Sequence, residues 1–328
     1  MKILVENSTW NNIGDGFYQT SILNLFRKVF PESKVDELEG PIHRAFKPKR
    51  FSDRGFNLNL IQEADLYILS GPILSSAFTS EYGELIKNFK ARNSKYAILS
   101  AHGNGSCLER NKELLRSHPP IAFATRDTPT YEMYKDCCPQ SYDGVCAASL
   151  VSKTCPTAAI DKTKKYITVS FYDAHEPTFS IDKDLNAFIP NGSHFDKNPK
   201  WKFYRHIEFL KEYPKFIDDY EIVRPVHDIG YGLSHLNYAK SNSFLSYNPL
   251  SYLSLYSGTS LTISNRIHAV LPTLSYGKPA MYFGKEKRDA LFARLGLKNH
   301  VNAKLTLSED FIESEYEAYL SFIRNIQW

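Results

Sequence analysis

At 328 residues the chain exceeds the ~250–300 residues at which a single hydrophobic core usually stops growing, so two domains are expected. With 42% hydrophobic and 23% charged residues it is not a disordered chain, and a net charge of +4 is too small at this length to imply nucleic-acid binding. That mild surplus suits an enzyme of anionic small molecules, or one working beside an anionic membrane. Residues 1–7 carry only a short apolar run, against ~7–15 residues for a signal peptide and about 20 for a membrane span. A cytoplasmic protein is expected, at most peripheral at the inner membrane face. The odd set Cys107, Cys137, Cys138, Cys146 and Cys155 lacks zinc-ribbon or Cys-x-x-Cys spacing, so reduced thiols and no metal site are expected.

Residues 2–5 predict a strand, and Ile22, Leu23, Phe26, Val29 and Phe30 recur at helical spacing until Pro31. Between them, Asn12-Ile13-Gly14-Asp15-Gly16 meets neither dinucleotide nor P-loop spacing. Its N–H groups can cradle an anion at the helix start. On the plainer reading Asp15 caps the helix and Gly14 permits the turn. Further strands are expected at 35–38, at 65–69 before Ser70-Gly71-Pro72, at 96–100 before Ala101-His102-Gly103, and at 121–124 before Thr125-Arg126-Asp127. A helix is expected over 81–89. Such alternation predicts βαβ units and a mostly parallel sheet.

The pattern restarts beyond a polar bridge at 161–165, with strands expected at 166–171, 220–226, 261–264 and 279–283 and a helix over 266–276. The resulting division is an N-terminal domain over 1–160, a C-terminal domain over 161–305, and a terminal helix over 306–328 that crosses back onto the first domain. Both domains are read as α/β, Rossmann-like parallel-sheet units with a cleft between them. The polar stretch 175–199 is long for a compact domain and is read as mobile or functional.

Ligands of open parallel sheets bind beyond the carboxyl ends of the strands. The polar residues found there include Asn12, Asp15, His102, Arg126, Asp127, His175, His227, Asn265, Arg266, His268 and Lys285. The most informative stretch is Ser264-Asn265-Arg266-Ile267-His268-Ala269, where a strand feeds an apolar helix that Gly277 closes. A first helical turn offers unpaired N–H groups to an anion, Arg266 adds a planar fork, and His268 can move a proton beside it.

The ordered motifs Asn12-Ile13-Gly14-Asp15, Thr125-Arg126-Asp127, Tyr142-Asp143-Gly144 and Arg266-Ile267-His268-Ala269 with Gly277-Lys278-Pro279 resemble the polysaccharide pyruvyl transferase family over roughly residues 1–300. The Arg-x-His-Ala…Gly-x-Pro element is the most specific of them. Two departures are Ser70-Gly71-Pro72 in place of a glycine run, and Asp143-Gly144-Val145 in place of Asp-Pro-Ala.

The resemblance implies a GT-B-like fold and transfer of pyruvate from phosphoenolpyruvate onto two sugar hydroxyls as a cyclic ketal. Phosphate is released and no cofactor is needed. The acceptor is a saccharide of a surface polysaccharide or its precursor, free or lipid-linked. On this basis Arg266, Arg126, Lys285 and Asn265 bind the donor, and His268 is the acid that protonates it. His102, with Asp15 as substitute, is the base, and Asn12, Gly14, Trp201 and His175 face the acceptor. The competing expectation is a GT-B glycosyltransferase with a nucleotide-sugar donor. That enzyme needs a carboxylate on the ribose, for which Glu286 is the candidate.

Overall fold

The computed structural model describes residues 1–7, 12–39, 58–171, 176–190, 211–227, 240–284, 288–298, 300 and 302–327. The predicted contacts of His175, Trp201 and Lys285, and the candidate Glu286, lie outside the described residues.

Ile3, Leu4 and Val5 are all buried, the signature of a parallel-sheet strand covered on both faces. They belong to β1 (Lys2–Asn7), which the chain leaves for α1 (Ile13–Val29). The helix begins well ahead of Ile22 because Asn12 caps it, its Oδ1 accepting from the Gly14 N–H at 3.1 Å. This corrects the expectation for Asp15, which lies in the first turn and is not the cap. Then follow β2 (Lys34–Glu39), β3 (Leu66–Ser70), α2 (Phe78–Ala91), β4 (Lys95–Ala101), α3 (Leu108–Ser117), β5 (Ala122–Thr125), α4 (Thr128–Tyr134) and β6 (Ser141–Tyr142). These strands form a sheet in the order β2-β1-β3-β4-β5-β6, parallel throughout.

After α5 (Val151–Thr154) the second sheet begins at β7 (Tyr166–Ser170). A small hairpin, β8 (Ser180–Ile181) and β9 (Ala187–Phe188), precedes β10 (Phe216–Ile217), β11 (Tyr220–Pro225), β12 (Ser243–Phe244) and α6 (Pro249–Gly258). Next come β13 (Thr262–Ser264), α7 (Ile267–Ser275), β14 (Ala280–Tyr282), α8 (Asp289–Arg294), β15 (Lys304–Leu305) and α9 (Glu309–Arg324). The order is β10-β11-β7-β13-β14-β15 with β12 on β11, and only the edge strands β10 and β15 run antiparallel.

Strand alternation splits the core. Leu4, Tyr67, Leu69 and Ile98 face α2 and α3 in one cluster, while Ile3, Val5, Ile68, Ala97 and Leu99 face a larger one that joins both halves. That shared core holds Phe17 of α1, Tyr252 and Tyr256 of α6, Leu271 of α7, residues 145–148 with Leu150 and Val151, and Tyr319 and Ile323 of α9. Each such large apolar side chain contributes ~1.5–3 kcal/mol on burial.

The terminal helix α9 crosses onto the first sheet. The Tyr319 hydroxyl accepts from the Ser100 N–H at 3.2 Å, and Phe322 stacks on Tyr142 at 5.2 Å between centroids. Arg294 of α8 pairs with Glu315 at 2.8 Å and donates to the Asp143 carbonyl at 3.0 Å, tying α8, α9 and the end of β6 together. Among the described residues no helix is long and apolar enough to cross a membrane.

Candidate active site

The two sheets are joined at the start of α1. Ile13 N–H donates across the junction to the His227 carbonyl at 3.0 Å, just beyond β11. Gly14 is required by space and not by φ: a Cβ there would stand 2.9 Å from His268 Cβ and 3.1 Å from His227 Nδ1. Gly14→Ala is expected to destabilise the protein by about 1–3 kcal/mol, the usual cost of overpacking. It should also cut turnover more than the lost stability explains. Thermal melts paired with steady-state rates check this; unchanged rates would show that the junction tolerates the methyl group.

Around this junction lies a cavity of about 260 Å³ lined by Asn12, Asp15, Pro72, Arg126, His227, Asn265, Arg266, Ile267, His268, Tyr282 and Arg288. They stand at or beyond the carboxyl ends of β1, β3 and β5 of one sheet and β11, β13 and β14 of the other, where parallel strands bind ligands. Arg266 is the N-cap residue of α7 and not its first helical residue, and its N–H donates to Ser264 Oγ at 2.9 Å. Every residue of α7 is buried, so the helix presents only its N-terminal end to the cavity.

His268 has its two ring nitrogens in different surroundings. Nδ1 is 3.6 Å from Asp15 Oδ1, and Nε2 is 4.0 Å from the thiol of buried Cys146. Burial, followed by Arg126, Arg288 and Arg266, holds the imidazole well below its ordinary pKa, so it is neutral near pH 7. His227 is likewise held down by burial and by Arg266, and its Nε2 lies 2.7 Å from the Tyr256 hydroxyl. Burial raises the Tyr282 hydroxyl to about 12, so Tyr282 meets the cavity as a neutral phenol.

His102 does not line the cavity. It leaves β4 at an irregularity in the β4–β5 pairing, after Ser100 adopts φ 52°. Its Nδ1 lies 2.7 Å from Asp127 Oδ2, while Asp127 Oδ1 accepts from Thr130 N–H and caps α4. Burial lowers the His102 pKa against the opposing pull of Asp127. Burial works against the Asp127 carboxylate too, but bonds from His102 and Thr130 outweigh it and hold its pKa down. The pair is thus a neutral imidazole on a carboxylate.

His268, His227 and His102 all have folded pKa values below the ordinary 6.5. Their unfolded forms therefore bind protons that the folded forms refuse once the pH falls below about 6.5. The ligand-free protein should keep their full contribution above that pH and lose stability progressively beneath it. Melting temperatures recorded from pH 7.5 to 5 test this, and a flat profile would contradict it.

Of the residues singled out in the sequence, Asn12, Asp15, Arg126, Asn265, Arg266 and His268 meet at one cavity, and Gly14 underlies it. Strand-end reasoning gives Arg288 and Tyr282 no role there, and marks His227 only as a residue beyond a strand. The one trace of Arg288 is the basic run that follows Gly284. All five cysteines are free thiols, and among the described residues no group of three or more His, Cys, Asp or Glu is placed to hold a metal ion.

Among solved structures, a putative UDP-N-acetylglucosamine 2-epimerase from Listeria monocytogenes matches at 12% identity with a TM-score of 0.52, covering 99% of this chain and 88% of that one. The S. aureus MnaA–UDP co-structure matches at 9% identity and a TM-score of 0.50, covering 99% and 87%. At such identities the likeness is one of fold, a GT-B-like pair of α/β units. Comparison with curated proteins gave no significant sequence match. Residues 12–285, well over half of the chain, match the sequence profile described as polysaccharide pyruvyl transferase. With the Arg266–His268 turn and Arg126 brought to one cavity between the two sheets, the chain belongs to the polysaccharide pyruvyl transferase family.

Proposed function

We propose that the protein transfers the pyruvyl group of phosphoenolpyruvate to two hydroxyls of a saccharide, forming a cyclic ketal and releasing phosphate. The observation that carries this reading is the meeting of Arg126, Arg266, His268 and Asp15 at one cavity, with guanidinium groups from both halves. Such a site is suited to a small polyanion, and forked donors match both carboxylate and phosphate.

In this reading His268 gives a proton to C3 of the donor, leaving C2 electrophilic. One acceptor hydroxyl bonds to C2 as Asp15 takes its proton. The C2–O bond to phosphorus then breaks, its electron pair leaving with the phosphate, and the second hydroxyl closes the ring. Of the two protons released by the hydroxyls, one restores His268 and the other leaves on the phosphate. Asp15 is preferred to His102 as base because Asp15 lines the cavity. His102, neutral and oriented by Asp127, is suited to serve an acceptor that reaches past it. A cytosolic location goes with this donor, and a lipid-linked acceptor would bring the protein to the membrane face.

Incubation with a galactoside and either phosphoenolpyruvate or nucleotide sugars tests the proposal. Phosphate release requiring both phosphoenolpyruvate and the saccharide, with one deuterium in the product methyl group when run in D₂O, is the expected result. Turnover with a nucleotide sugar alone would replace this reading with glycosyl transfer.

A further inference from the structure

Arg126 is the bulkiest fully buried side chain among the described residues, 2% exposed. Its guanidinium makes no ion pair or hydrogen bond among the described residues, and its buried Nε has no partner. Arg288, on the same cavity wall, also has no ion pair or hydrogen bond among the described residues. The nearby carboxylates are committed elsewhere: Asp127 to His102 and Thr130, Asp289 to His300 at 3.0 Å, and Asp15 facing His268.

Two guanidinium groups on one cavity wall repel each other, and Arg126 is taken out of water without a counter-charge, so a ligand that supplies the missing charge relieves both costs. Arg126 is also the neighbouring charge that most depresses the Arg288 pKa, after burial itself. Arg266 enters the same cavity from a different element, as the N-cap residue of α7.

We infer that Arg126 and Arg288 together form the seat of a phosphate dianion, leaving Arg266 to hold the donor's carboxylate. The assignment of phosphate and carboxylate to one donor rests on the reading proposed above. The pair also has a chemical task there. As the C2–O bond breaks, its electrons collect on the departing phosphate, and two guanidinium forks already aimed at that group stabilise the growing charge. Arg288 is thus placed as a donor-binding residue which also favours departure of the leaving group.

The test uses the full chain and two simple probes, inorganic phosphate and pyruvate, each titrated by calorimetry into wild type, Arg288→Gln, Arg288→Lys and Arg266→Gln. Arg288→Gln should weaken phosphate binding by about 10–100-fold, the worth of a charged hydrogen-bonding group, and leave pyruvate nearly untouched. Arg266→Gln should do the reverse. Arg288→Lys, which keeps the charge without the fork, should fall between wild type and Arg288→Gln for phosphate. Unchanged phosphate affinity in Arg288→Gln, equal losses in Arg288→Gln and Arg266→Gln, or no phosphate binding by wild type would overturn the inference. If phosphate depends on Arg288 but phosphoenolpyruvate is never turned over, the seat stands and the pyruvyl-transfer reading falls.

Discussion

Replacing His268 with alanine should lower kcat by ~10²–10⁴-fold, the usual worth of a general acid, while donor affinity changes only a few-fold. Burial, with the field of three guanidinium groups, Arg126, Arg288 and Arg266, keeps the imidazole neutral near pH 7. A neutral imidazole is a poor acid, so binding of the anion must charge it. A bound polyanion offsets the arginine field, and Asp15 at 3.6 Å from Nδ1 then favours the imidazolium. Donor binding near pH 7 should therefore take up a proton. Calorimetry in buffers of different ionisation enthalpy will show this uptake in wild type and not in His268→Gln. A variant without His268 that keeps turnover within tenfold of wild type would remove it from the mechanism.

Arg126→Met is expected to abolish donor binding and yet make the ligand-free protein more stable. The guanidinium is buried without a compensating carboxylate among the described residues. Exchanging buried ionic groups for apolar ones of similar volume often gains about 1–4 kcal/mol. Methionine also follows the stem of the replaced side chain. The melting temperature of the empty variant should exceed that of wild type, and saturating phosphoenolpyruvate should raise wild type alone. A lower melting temperature for the variant would mean that Arg126 holds the fold together, and its role as a binding residue would need another basis.

Much of this site is legible along the chain because the topology is repetitive. Once residues 2–5, 121–124 and 261–264 are read as parallel strands, Arg126, Arg266 and His268 must lie at carboxyl ends, and the structure brings them to one cavity. Arg288 escapes that logic. It stands several residues beyond β14, at the start of the short helix α8, where strand-end reasoning selects Lys285 instead. The first turns of α1 escape as well. Gly14, Gly16 and the mixed residues up to Ser21 show no single apolar face, because both halves pack on them and even Gln19 and Ser21 are buried. Helix α6 is announced only by Asn248 capping ahead of Pro249 at N1, a signal that needs no periodicity at all. The two-residue strands β6, β10 and β12 are too short to carry a pattern, and their pairing is set by tertiary contact.

The bond between Tyr319 and Ser100 links residues 219 positions apart. During synthesis the inner face of the first sheet, with Ile3, Val5 and Leu99, must therefore wait for a helix that emerges far later from the ribosome. Until α9 arrives, that nascent half exposes an apolar surface which other chains can occupy. Slow elongation or a stop codon ahead of residue 309 would consequently favour aggregation and chaperone capture over a folded N-terminal fragment.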